Sequence, residues 1–564
     1  MTAEPDPTAH ANYLWGHTTA RGLADLGVDV VFFSPGSRST PLVLGCESEP
    51  RLSCVPVLDE RTAAFLALGQ SKRTGRPAAL ICTSGSAPSH WYPAVTEASY
   101  SDIPLLLLSA DRPPELQECG AGQTINQVHL FGTFVRGFHA VPLPATDPVS
   151  LHSLQSVLQQ AYSQSTSNRP GPVHLNFPFR EPLWPESNPP PALPQLSSLP
   201  TLANSLVDPE DNKPPGKLPH ARFPVLIAGL DCPSNLPSNL PSNLDSIPIL
   251  CDSLSPFRES GHPARILRYE HLLRCPEFVQ SIRPDLFILL GPLPTSKTLR
   301  SWIEQSGAAR VVIEPSGRKV DPLEGPSRPL TLNYDEMSKL KLGAPDPTWL
   351  SVWTQAERTV ESSLHTELAR LPISAEPKIT RVLSEHLPAR SLLYCANSMP
   401  IRDLEWFWKP GNLGRRLFGA RGVNGIDGTL GTALGLAHLS EQPTYLLCGD
   451  LAFLHDSNAL LFLSHLIGSL TVILINNQGG GIFEHLPVAQ LSEFEKCFST
   501  PQNCDFKKLC EAHALEHLLC ENEKDLISFL HNPPVQGMRV IEIRTDRKAD
   551  RDTRRHLLAL SPNT

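Results

Sequence analysis

The stretch "CGDLAFLHDSNALLFLSHLIGSLTVILINNQGGGIF" at residues 448–483 places two polar turns directly after two apolar runs. The runs Thr444–Cys448 and Leu470–Ile475 have the Leu/Ile/Val-rich pattern of buried strands, and Ala459–Ile467 between them has the pattern of a helix. In a strand–helix–strand unit the strands run parallel, and their carboxyl ends meet at the edge where open α/β sheets bind ligands. We therefore expect Asp450 and Asn477 to lie together at that edge.

Strand-like runs alternate with helical patterns through most of the chain. This alternation predicts an α/β fold of three doubly wound parallel-sheet domains in series. The predicted segments are 8–184, a Pro/Ser-rich linker at 185–220, 221–345, 376–547 and a charged tail at 548–564. The clearest other strands are predicted at Val28–Phe33, Ala78–Cys82, Leu105–Ser109, Val173–Asn176, Val225–Ala228, Leu286–Leu290, Val311–Ile313, Leu392–Cys395 and Val540–Ile543. Within the second α/β segment, "CPSNLPSNLPSNLDS" repeats Pro-Ser-Asn-Leu at a period too short for a solenoid, which indicates an exposed loop.

Composition argues against several classes of protein. The net charge of the 564-residue chain is −9 without a basic stripe, so nucleic acid is not expected as its main partner. The 13 cysteines are scattered without a CxxC pair, which is typical of a reducing compartment. The start of the chain has no secretory pattern, and no apolar run approaches membrane-spanning length. We expect a cytoplasmic protein without membrane insertion.

Asp450 and Asn477 supply hard oxygen ligands of the kind that Mg²⁺ prefers together with phosphate oxygens and water. Glycines at 479–481 let the backbone come close enough for a carbonyl to join them. A helix starting near 456–458 would point free N–H groups at the same edge and suit a diphosphate. The motif therefore predicts a metal–diphosphate site; the alternative is a capping Asp followed by an ordinary Asn-Gly turn.

Gly449-Asp450, followed at this spacing by Asn476-Asn477, resembles the cofactor motif of thiamine-diphosphate-dependent enzymes. The resemblance implies thiamine diphosphate with Mg²⁺, or Mn²⁺ in its place, held by Asp450, Asn477 and the carbonyl of Gly479. It places Gly449 and Leu451 at the cofactor, although the family usually has Gly at the position of Leu451. The 8–184 segment would be the pyrimidine-binding domain, 221–345 the central domain and 376–547 the diphosphate-binding domain.

The family also needs a glutamate beside the aminopyrimidine ring of the cofactor. Glu60 in "VLDERTAAFLALG" (57–69) matches it, at the point where a strand-like stretch gives way to a helix. The resemblance implies that this carboxyl exchanges a proton with the cofactor as its catalytic group. The alternative is a surface Asp-Glu-Arg cluster that is favoured at a helix start by the helix dipole.

Further stretches resemble one branch of the family, which makes a precursor of menaquinone and phylloquinone. They are "SPGSRSTPL" (34–42), "TSGSA" (83–87), "YPAVTEA" (92–98), "ADRPPEL" (110–116), "GPVHLNFPFREPL" (171–183), "SKTLR" (296–300), "NSMPIRD" (397–403), "ARGVNGIDG" (420–428) and "NNQGGGIFEHLP" (476–487). This branch decarboxylates 2-oxoglutarate and adds the remaining carbanion in 1,4 fashion to isochorismate. The matches cover all three α/β segments in order.

The resemblance implies a site rich in cations, as two dicarboxylate substrates require. The implied substrate-binding residues are Ser37, Arg38, Arg112, Gln123, Lys297, Ser398, Arg402, Arg421, Ile482 and Phe483, and Ile426 would lie beneath the cofactor. Each has a plainer alternative. Arg38 could tie down a turn, Arg112 could pair with Asp111, Arg402 could pair with a nearby carboxylate, Lys297 could be solvated, and the apolar residues could be core. Gly122 and Thr298 stand where relatives often carry Asn and a second cation.

The resemblance further implies a homodimer or homotetramer in which Glu60 of one chain faces Asp450 of another. Two rival hypotheses remain. Another 2-oxoacid decarboxylase or carboligase would use the same Glu60 and Asp450 with less need for cations. A non-catalytic scaffold subunit would keep the fold alone, against which the intact Glu60, Asp450 and Asn477 argue.

Overall fold

The computed structural model describes residues 6–185, 218–230, 232, 236–240, 244–332, 334–340 and 342–563. Most of the predicted 185–220 linker and part of the Pro-Ser-Asn-Leu repeats lie outside these residues. The chain forms two compact units. The first combines the N-terminal segment with Ala420–Ser440 and Leu454–Gly468, and the second contains the central segment up to Gly419, Glu441–Phe453 and the chain from Ser469 onward.

The first unit contains a six-stranded parallel sheet in the order β2-β1-β3-β4-β6-β5. Its strands are β1 (Val30–Phe33), β2 (Ser53–Pro56), β3 (Ala78–Cys82), β4 (Leu105–Asp111), β5 (Gly137–Ala140) and β6 (Pro172–Pro178). Its N-terminal helices are α1 (Pro7–Asp25), α2 (Thr40–Glu47), α3 (Glu60–Thr74), α4 (Tyr92–Tyr100) and α5 (Pro148–Thr166). Strands β3 and β4 are buried along their whole length, because helices cover both faces of such a sheet.

The second unit contains two further six-stranded parallel sheets. The central sheet has the order β12-β11-β10-β7-β8-β9, with β7 (Pro224–Ala228), β8 (Ile249–Cys251), β9 (Arg265–Ile266), β10 (Leu286–Leu290), β11 (Ala309–Ile313) and β12 (Ser327–Leu330). The helices of this part of the chain are α6 (Leu236–Asn239), α7 (Tyr269–Leu273), α8 (Pro276–Ser281), α9 (Lys297–Ser306) and α10 (Trp349–Arg370). Helix α10 lies in the stretch that the sequence patterns left unassigned.

The C-terminal sheet has the order β14-β13-β15-β16-β18-β17. Its strands are β13 (Leu392–Cys395), β14 (Arg416–Phe418), β15 (Thr444–Gly449), β16 (Ser469–Asn476), β17 (Glu516–Leu519) and β18 (Gly537–Arg544). The remaining helices are α11 (Glu376–His386), α12 (Met399–Phe407), α13 (Thr429–Ala437), α14 (Asp450–His455), α15 (Phe506–Ala512), α16 (Glu523–His531) and α17 (Arg547–Leu558). Three parallel sheets flanked by helices confirm the predicted fold class.

Helices α3 and α13 pack unusually closely within the first unit. A Cβ on Gly69 would lie 2.1 Å from the carbonyl oxygen of Thr432, and one on Gly435 would lie 2.1 Å from that of Leu66. A side chain at either glycine would force the two backbones apart. Gly69 and Gly435 therefore permit the close packing of these two helices.

Two elements differ from the sequence prediction. The helix predicted at Ala459–Ile467 is a 3₁₀ helix at Ser457–His465, and the α-helix of that crossover, α14, begins at Asp450 itself. The expected α-helical N-terminus near residue 456 is therefore absent from this crossover.

The segment 548–564, interpreted from the sequence as a charged tail, is mostly helical in the structure. Helix α17 spans most of it and buries Asp550, Arg554, Leu557 and Leu558. Their spacing of four, three and one residues forms one helical face, so this part of the segment packs into the unit.

No helix in the described parts of the chain is both long and apolar enough to cross a membrane.

Candidate cofactor and substrate site

Three neighbouring strands of the C-terminal sheet end in predicted site residues. Strand β15 pairs with β13 on one side and with β16 on the other, all in parallel. Ser398 follows β13, Asp450 follows β15 and Asn477 follows β16. The carboxyl ends of parallel strands share one edge, so the predicted placement of Asp450 and Asn477 is confirmed.

The carboxylate of Asp450 is buried and held by backbone donors. Its Oδ1 accepts a hydrogen bond from the amide of Leu451 at 2.7 Å, and its Oδ2 accepts one from the amide of Gly479 at 2.9 Å. Burial raises the pKa of Asp450 to about 6, against the lowering effect of these two amides. Each carboxylate oxygen retains lone pairs for a further ligand.

Asn477 is buried, with only one end of its amide bonded to protein. Its Nδ2 donates to Oε1 of Glu376 at 2.7 Å, whereas its Oδ1 has no hydrogen-bond partner among the described residues. A buried amide oxygen without a partner is costly, which points to a ligand that the protein itself does not supply.

Gly479 brings the backbone close to these two side chains. Its φ of +138° disfavours any residue with a side chain, and a Cβ there would lie 2.4 Å from the carbonyl oxygen of Ser499. Its own carbonyl accepts the amide of Gly481 at 3.0 Å and keeps its second lone pair.

These donors fit the predicted metal. One buried carboxylate, one unpartnered amide oxygen and a nearby backbone carbonyl are all hard oxygen ligands, as Mg²⁺ and Mn²⁺ require. The unpartnered oxygen of Asn477 distinguishes this arrangement from an ordinary capping Asp with an Asn-Gly turn, in which exposed groups bond to water.

Ser398 has a strained backbone at the same edge. Its φ of +74° and ψ of −128° are rare for a residue with a side chain, and it directly precedes helix α12. Arg402, one turn along α12, donates from Nη1 to the carbonyl of Ser398 at 2.6 Å. The structure therefore joins these two predicted substrate-binding residues.

The other predicted residues of the second unit differ in exposure. Ile482 and Phe483 are half-buried in a short 3₁₀ helix at Gly481–His485, where Phe483 packs edge-on against Phe498. Lys297 is exposed at the first position of α9.

Within the first unit, Glu60 occupies the first position of α3, where the sequence predicted a helix start. Asp59 caps this helix by accepting the amides of Arg61 at 2.8 Å and Thr62 at 3.4 Å. Asp59, and not Glu60, is therefore the capping residue of this helix. Glu60 lies near the buried thiol of Cys82, whose pKa is raised by burial and, to a lesser extent, by the Glu60 charge.

Two predicted substrate-binding arginines of the first unit converge on one carboxylate. Arg38 is buried and donates to the carbonyl of Phe179 at 3.0 Å and to Oε1 of Glu181 at 2.7 Å. The same Oε1 lies 4.0 Å from Nη1 of Arg112. The guanidinium of Arg38 thus holds the segment after β6 instead of its own turn, and a carboxylate already lies between the two cations.

Ser37 and Gln123 are exposed in the same unit. Gln123 has a φ of +58°, and its Nε2 donates to the carbonyl of Ser84 at 3.1 Å. Ile426 is half-buried, and its carbonyl accepts the hydroxyl of Thr429 at 2.7 Å.

The loop that carries Arg421 is held by a residue that the sequence did not single out. Glu97 is buried on α4, and its two oxygens accept the amides of Gly422 at 3.1 Å and Val423 at 2.8 Å. A Cβ on Gly422 would lie 2.8 Å from the carbonyl oxygen of Glu97. Glu97 lies in the quoted "YPAVTEA" stretch (92–98), but no local sequence pattern links this helix residue to a loop more than 300 positions away.

Two family models match the chain. Residues 15–130 match the model described as thiamine pyrophosphate enzyme, N-terminal TPP binding domain. Residues 407–543 match the model described as thiamine pyrophosphate enzyme, C-terminal TPP binding domain. The two matches agree with the placement of Glu60 and Asp450 in separate parts of the chain.

Similar proteins cover nearly the whole chain. It is 40% identical to the 2-succinyl-5-enolpyruvyl-6-hydroxy-3-cyclohexene-1-carboxylate synthase of Synechococcus elongatus, over 99% of this chain and 97% of that protein. It is 39% identical to the synthase of the same name from Trichodesmium erythraeum, over 96% of each chain. It is 40% identical to that of Trichormus variabilis, over 97% of each chain. The chain therefore belongs to the thiamine pyrophosphate enzymes and, within them, to the family of the 2-succinyl-5-enolpyruvyl-6-hydroxy-3-cyclohexene-1-carboxylate synthases.

Proposed function

We propose that this chain decarboxylates 2-oxoglutarate and transfers the remaining four-carbon unit to isochorismate, giving CO₂ and 2-succinyl-5-enolpyruvyl-6-hydroxy-3-cyclohexene-1-carboxylate. The relatives that match nearly the whole chain are synthases of this product by name, which supports the proposal. The structural observation that carries the proposal is the buried amide oxygen of Asn477, which has no hydrogen-bond partner in the part of the chain that the structure describes. Asn477 follows the strand next to that of Asp450. The product would serve menaquinone or phylloquinone synthesis.

Asp450, the Oδ1 of Asn477 and the carbonyl of Gly479 would hold Mg²⁺, or Mn²⁺, and through it the diphosphate of the cofactor. Gly449 and Leu451 would adjoin the diphosphate, and Ile426 would support the cofactor from below. When bound, thiamine diphosphate supplies a place for the electron pair that a 2-oxoacid releases as it loses CO₂. The role of the chain is to bind and orient that group.

Glu60 would hold one proton at its carboxyl and exchange it with the aminopyrimidine ring. A carboxyl group suits this task because it can both donate and accept a proton in one position. Its place at the first position of α3, with Asp59 occupied in capping, leaves the Glu60 side chain available for it.

The cations would neutralise and orient the substrate carboxylates, since a planar guanidinium binds a carboxylate through two parallel hydrogen bonds. The proposed set is Ser37, Arg38, Arg112, Gln123, Lys297, Ser398, Arg402, Arg421, Ile482 and Phe483. The convergence of Arg38 and Arg112 on Glu181 supports a carboxylate-binding role, because the pair already attracts one carboxylate of the chain itself.

We also propose the predicted limits of the three α/β domains and of the linker, and a homodimer or homotetramer with active sites at the subunit interface. The family resemblance supports the assembly, and light scattering on the purified protein tests it. The 13 free cysteines, nine of them buried, support a reducing cytoplasmic location.

The decisive experiment mixes the protein with 2-oxoglutarate, isochorismate, thiamine diphosphate and Mg²⁺ and follows the loss of isochorismate absorbance. Loss that requires both 2-oxoglutarate and the cofactor is expected. Cofactor binding without this loss, but with turnover of other 2-oxoacids, would instead favour another decarboxylase or carboligase. Binding without turnover of any 2-oxoacid would favour the scaffold.

A further inference from the structure

A buried network of charged side chains lies behind Asn477 in the second unit. Oε1 of Glu376 accepts the Nδ2 of Asn477 at 2.7 Å and the hydroxyl of Thr545 at 3.1 Å. Its Oε2 forms an ion pair with Nη2 of Arg554. Arg554 also binds Asp403 through two hydrogen bonds of 2.7 Å and 2.6 Å. The side chains of Glu376, Arg554 and Asp403 are each at most 1% exposed.

An ionised carboxylate fixes which end of an amide faces it. It can only accept hydrogen bonds, so Asn477 must present its NH₂ group to Glu376 and its oxygen to the opposite side. Oε2 of Glu376 is paired with Arg554, and its Oε1 accepts the hydroxyl of Thr545, so both carboxyl oxygens act as hydrogen-bond acceptors. These contacts fix the NH₂ group of Asn477 towards Glu376 and its oxygen towards the opposite side.

We propose that Glu376 and Arg554 are positioning residues for the metal centre: Glu376 directs the Oδ1 of Asn477 at the cation, and Arg554 keeps Glu376 in place. The inference rests on the proposed function, because it assumes that Asn477 is a metal ligand. Arg554 comes from α17, so this helix would act on the metal centre through Glu376.

The substitution E376Q tests the direction of the hydrogen bond. The donors of Arg554 attract the oxygen of the new amide, which turns its NH₂ group towards Asn477. Asn477 must then rotate to accept that hydrogen bond and present its own NH₂ group to the cation. We expect the Kd for Mn²⁺, measured by electron paramagnetic resonance on the full chain with thiamine diphosphate, to rise about 10- to 100-fold.

The double substitution E376Q/N477D exchanges donor and acceptor while keeping the total charge. The new amide then donates to one carboxylate oxygen at position 477 and leaves the other for the cation. We expect the double variant to bind Mn²⁺ within about three-fold of the wild type, or more tightly, by the same ligand argument. A purely structural role for Glu376 predicts no such recovery.

E259Q is the matched control. Glu259 is also a buried glutamate in the second unit, paired at 3.0 Å with the buried Arg415. Its loss should lower the unfolding temperature and leave the Kd for Mn²⁺ within about two-fold of the wild type, since it contacts no proposed ligand.

The outcomes distinguish a failure of the inference about Glu376 from a failure of the proposed metal site. Wild-type protein that binds no Mn²⁺ would overturn both the inference and the proposed metal site. Wild-type binding with an unchanged Kd in E376Q, or no recovery in the double variant, would overturn the inference alone. If E376Q does not fold, N477D is used in its place. In N477D the carboxylates at positions 376 and 477 face each other, so its melting temperature should be lower than that of the double variant. An equal or higher melting temperature would contradict the inference.

Discussion

Glu97 Oε2 accepts a hydrogen bond from the backbone amide of Val423 at 2.8 Å, and its other oxygen accepts that of Gly422 at 3.1 Å. One buried side chain thereby fixes the backbone on the C-terminal side of Arg421. A glutamate suits this position, because each of its two carboxyl oxygens accepts one of the two amides.

Glu97→Gln should loosen this loop, because a glutamine side chain offers one acceptor oxygen where two amides need one each. If Arg421 binds isochorismate, the KM for isochorismate should rise about ten-fold, corresponding to loss of a hydrogen bond of roughly 1.5 kcal/mol. Steady-state kinetics with each substrate varied in turn would measure this. A larger rise for 2-oxoglutarate, or none for either substrate, would remove Arg421 from the isochorismate site.

Glu60→Gln should abolish most activity without unfolding the protein. An amide has the same shape as the carboxyl group but cannot exchange a proton at neutral pH, so we expect kcat to fall by about 10²- to 10⁴-fold. Circular dichroism should be unchanged, and the Kd for thiamine diphosphate should change little. Wild-type turnover in this variant would contradict the proposed proton exchange.

Asp450→Ala should prevent Mg²⁺-dependent binding of thiamine diphosphate. It removes the proposed charged ligand and leaves the amides of Leu451 and Gly479 without their acceptor, which costs about 1–3 kcal/mol per buried group. Calorimetric titration with and without Mg²⁺ measures the effect. Asp505→Ala is a suitable control, because Asp505 is an exposed helix cap that should cost about 1 kcal/mol and leave binding intact. Normal cofactor affinity in Asp450→Ala would refute the metal assignment.

His174 predicts a pH dependence of stability in the first unit. The ring is fully buried against the Ser109 hydroxyl at 2.7 Å, and burial lowers its pKa to about 3. In the unfolded chain the pKa is about 6.5, so between these values only the unfolded chain takes up the proton. The favourable contribution of neutral His174 is complete above pH 6.5 and is lost as the pH falls towards 3.

Denaturant unfolding of the wild type and of His174→Gln should reveal this difference. The stability of the wild type relative to the variant should decline by about 1.4 kcal/mol per pH unit below pH 6.5, because the variant cannot take up that proton. Parallel pH profiles would show that His174 has the same pKa in the folded and the unfolded chain, which would contradict the prediction.

The sequence allowed the strands to be predicted well for a physical reason. Buried parallel strands are continuous apolar runs, so Ala78–Cys82, Leu286–Leu290 and Leu392–Cys395 match the structure at both ends. The crossover after Asp450 was predicted less well. Apolar spacing alone does not separate an α-helix from a 3₁₀ helix, and the region from 457 to 465 adopts the latter.

The candidate site was predictable where its residues lie in local motifs. Asp450 and Asn477 follow strands that are visible in the sequence, so their shared edge could be inferred. Glu376 and Arg554 could not be linked in this way, because 178 positions separate them and the charge-rich surroundings of Arg554 resemble a solvated segment. The apolar pair Leu557–Leu558, on the same helical face as Arg554, was the one signal that this segment is buried.

The ion pair between Glu376 and Arg554 also has a consequence for synthesis of the protein. Glu376 leaves the ribosome long before Arg554 does, so a growing chain must hold the carboxylates of Glu376 and Asp403 without their shared counter-ion. Burying them in that state is costly, because unpaired charges are strongly destabilising inside a protein. The C-terminal sheet can therefore close fully only after residue 554 has been translated, and prematurely terminated chains are left recognisable to cellular proteases.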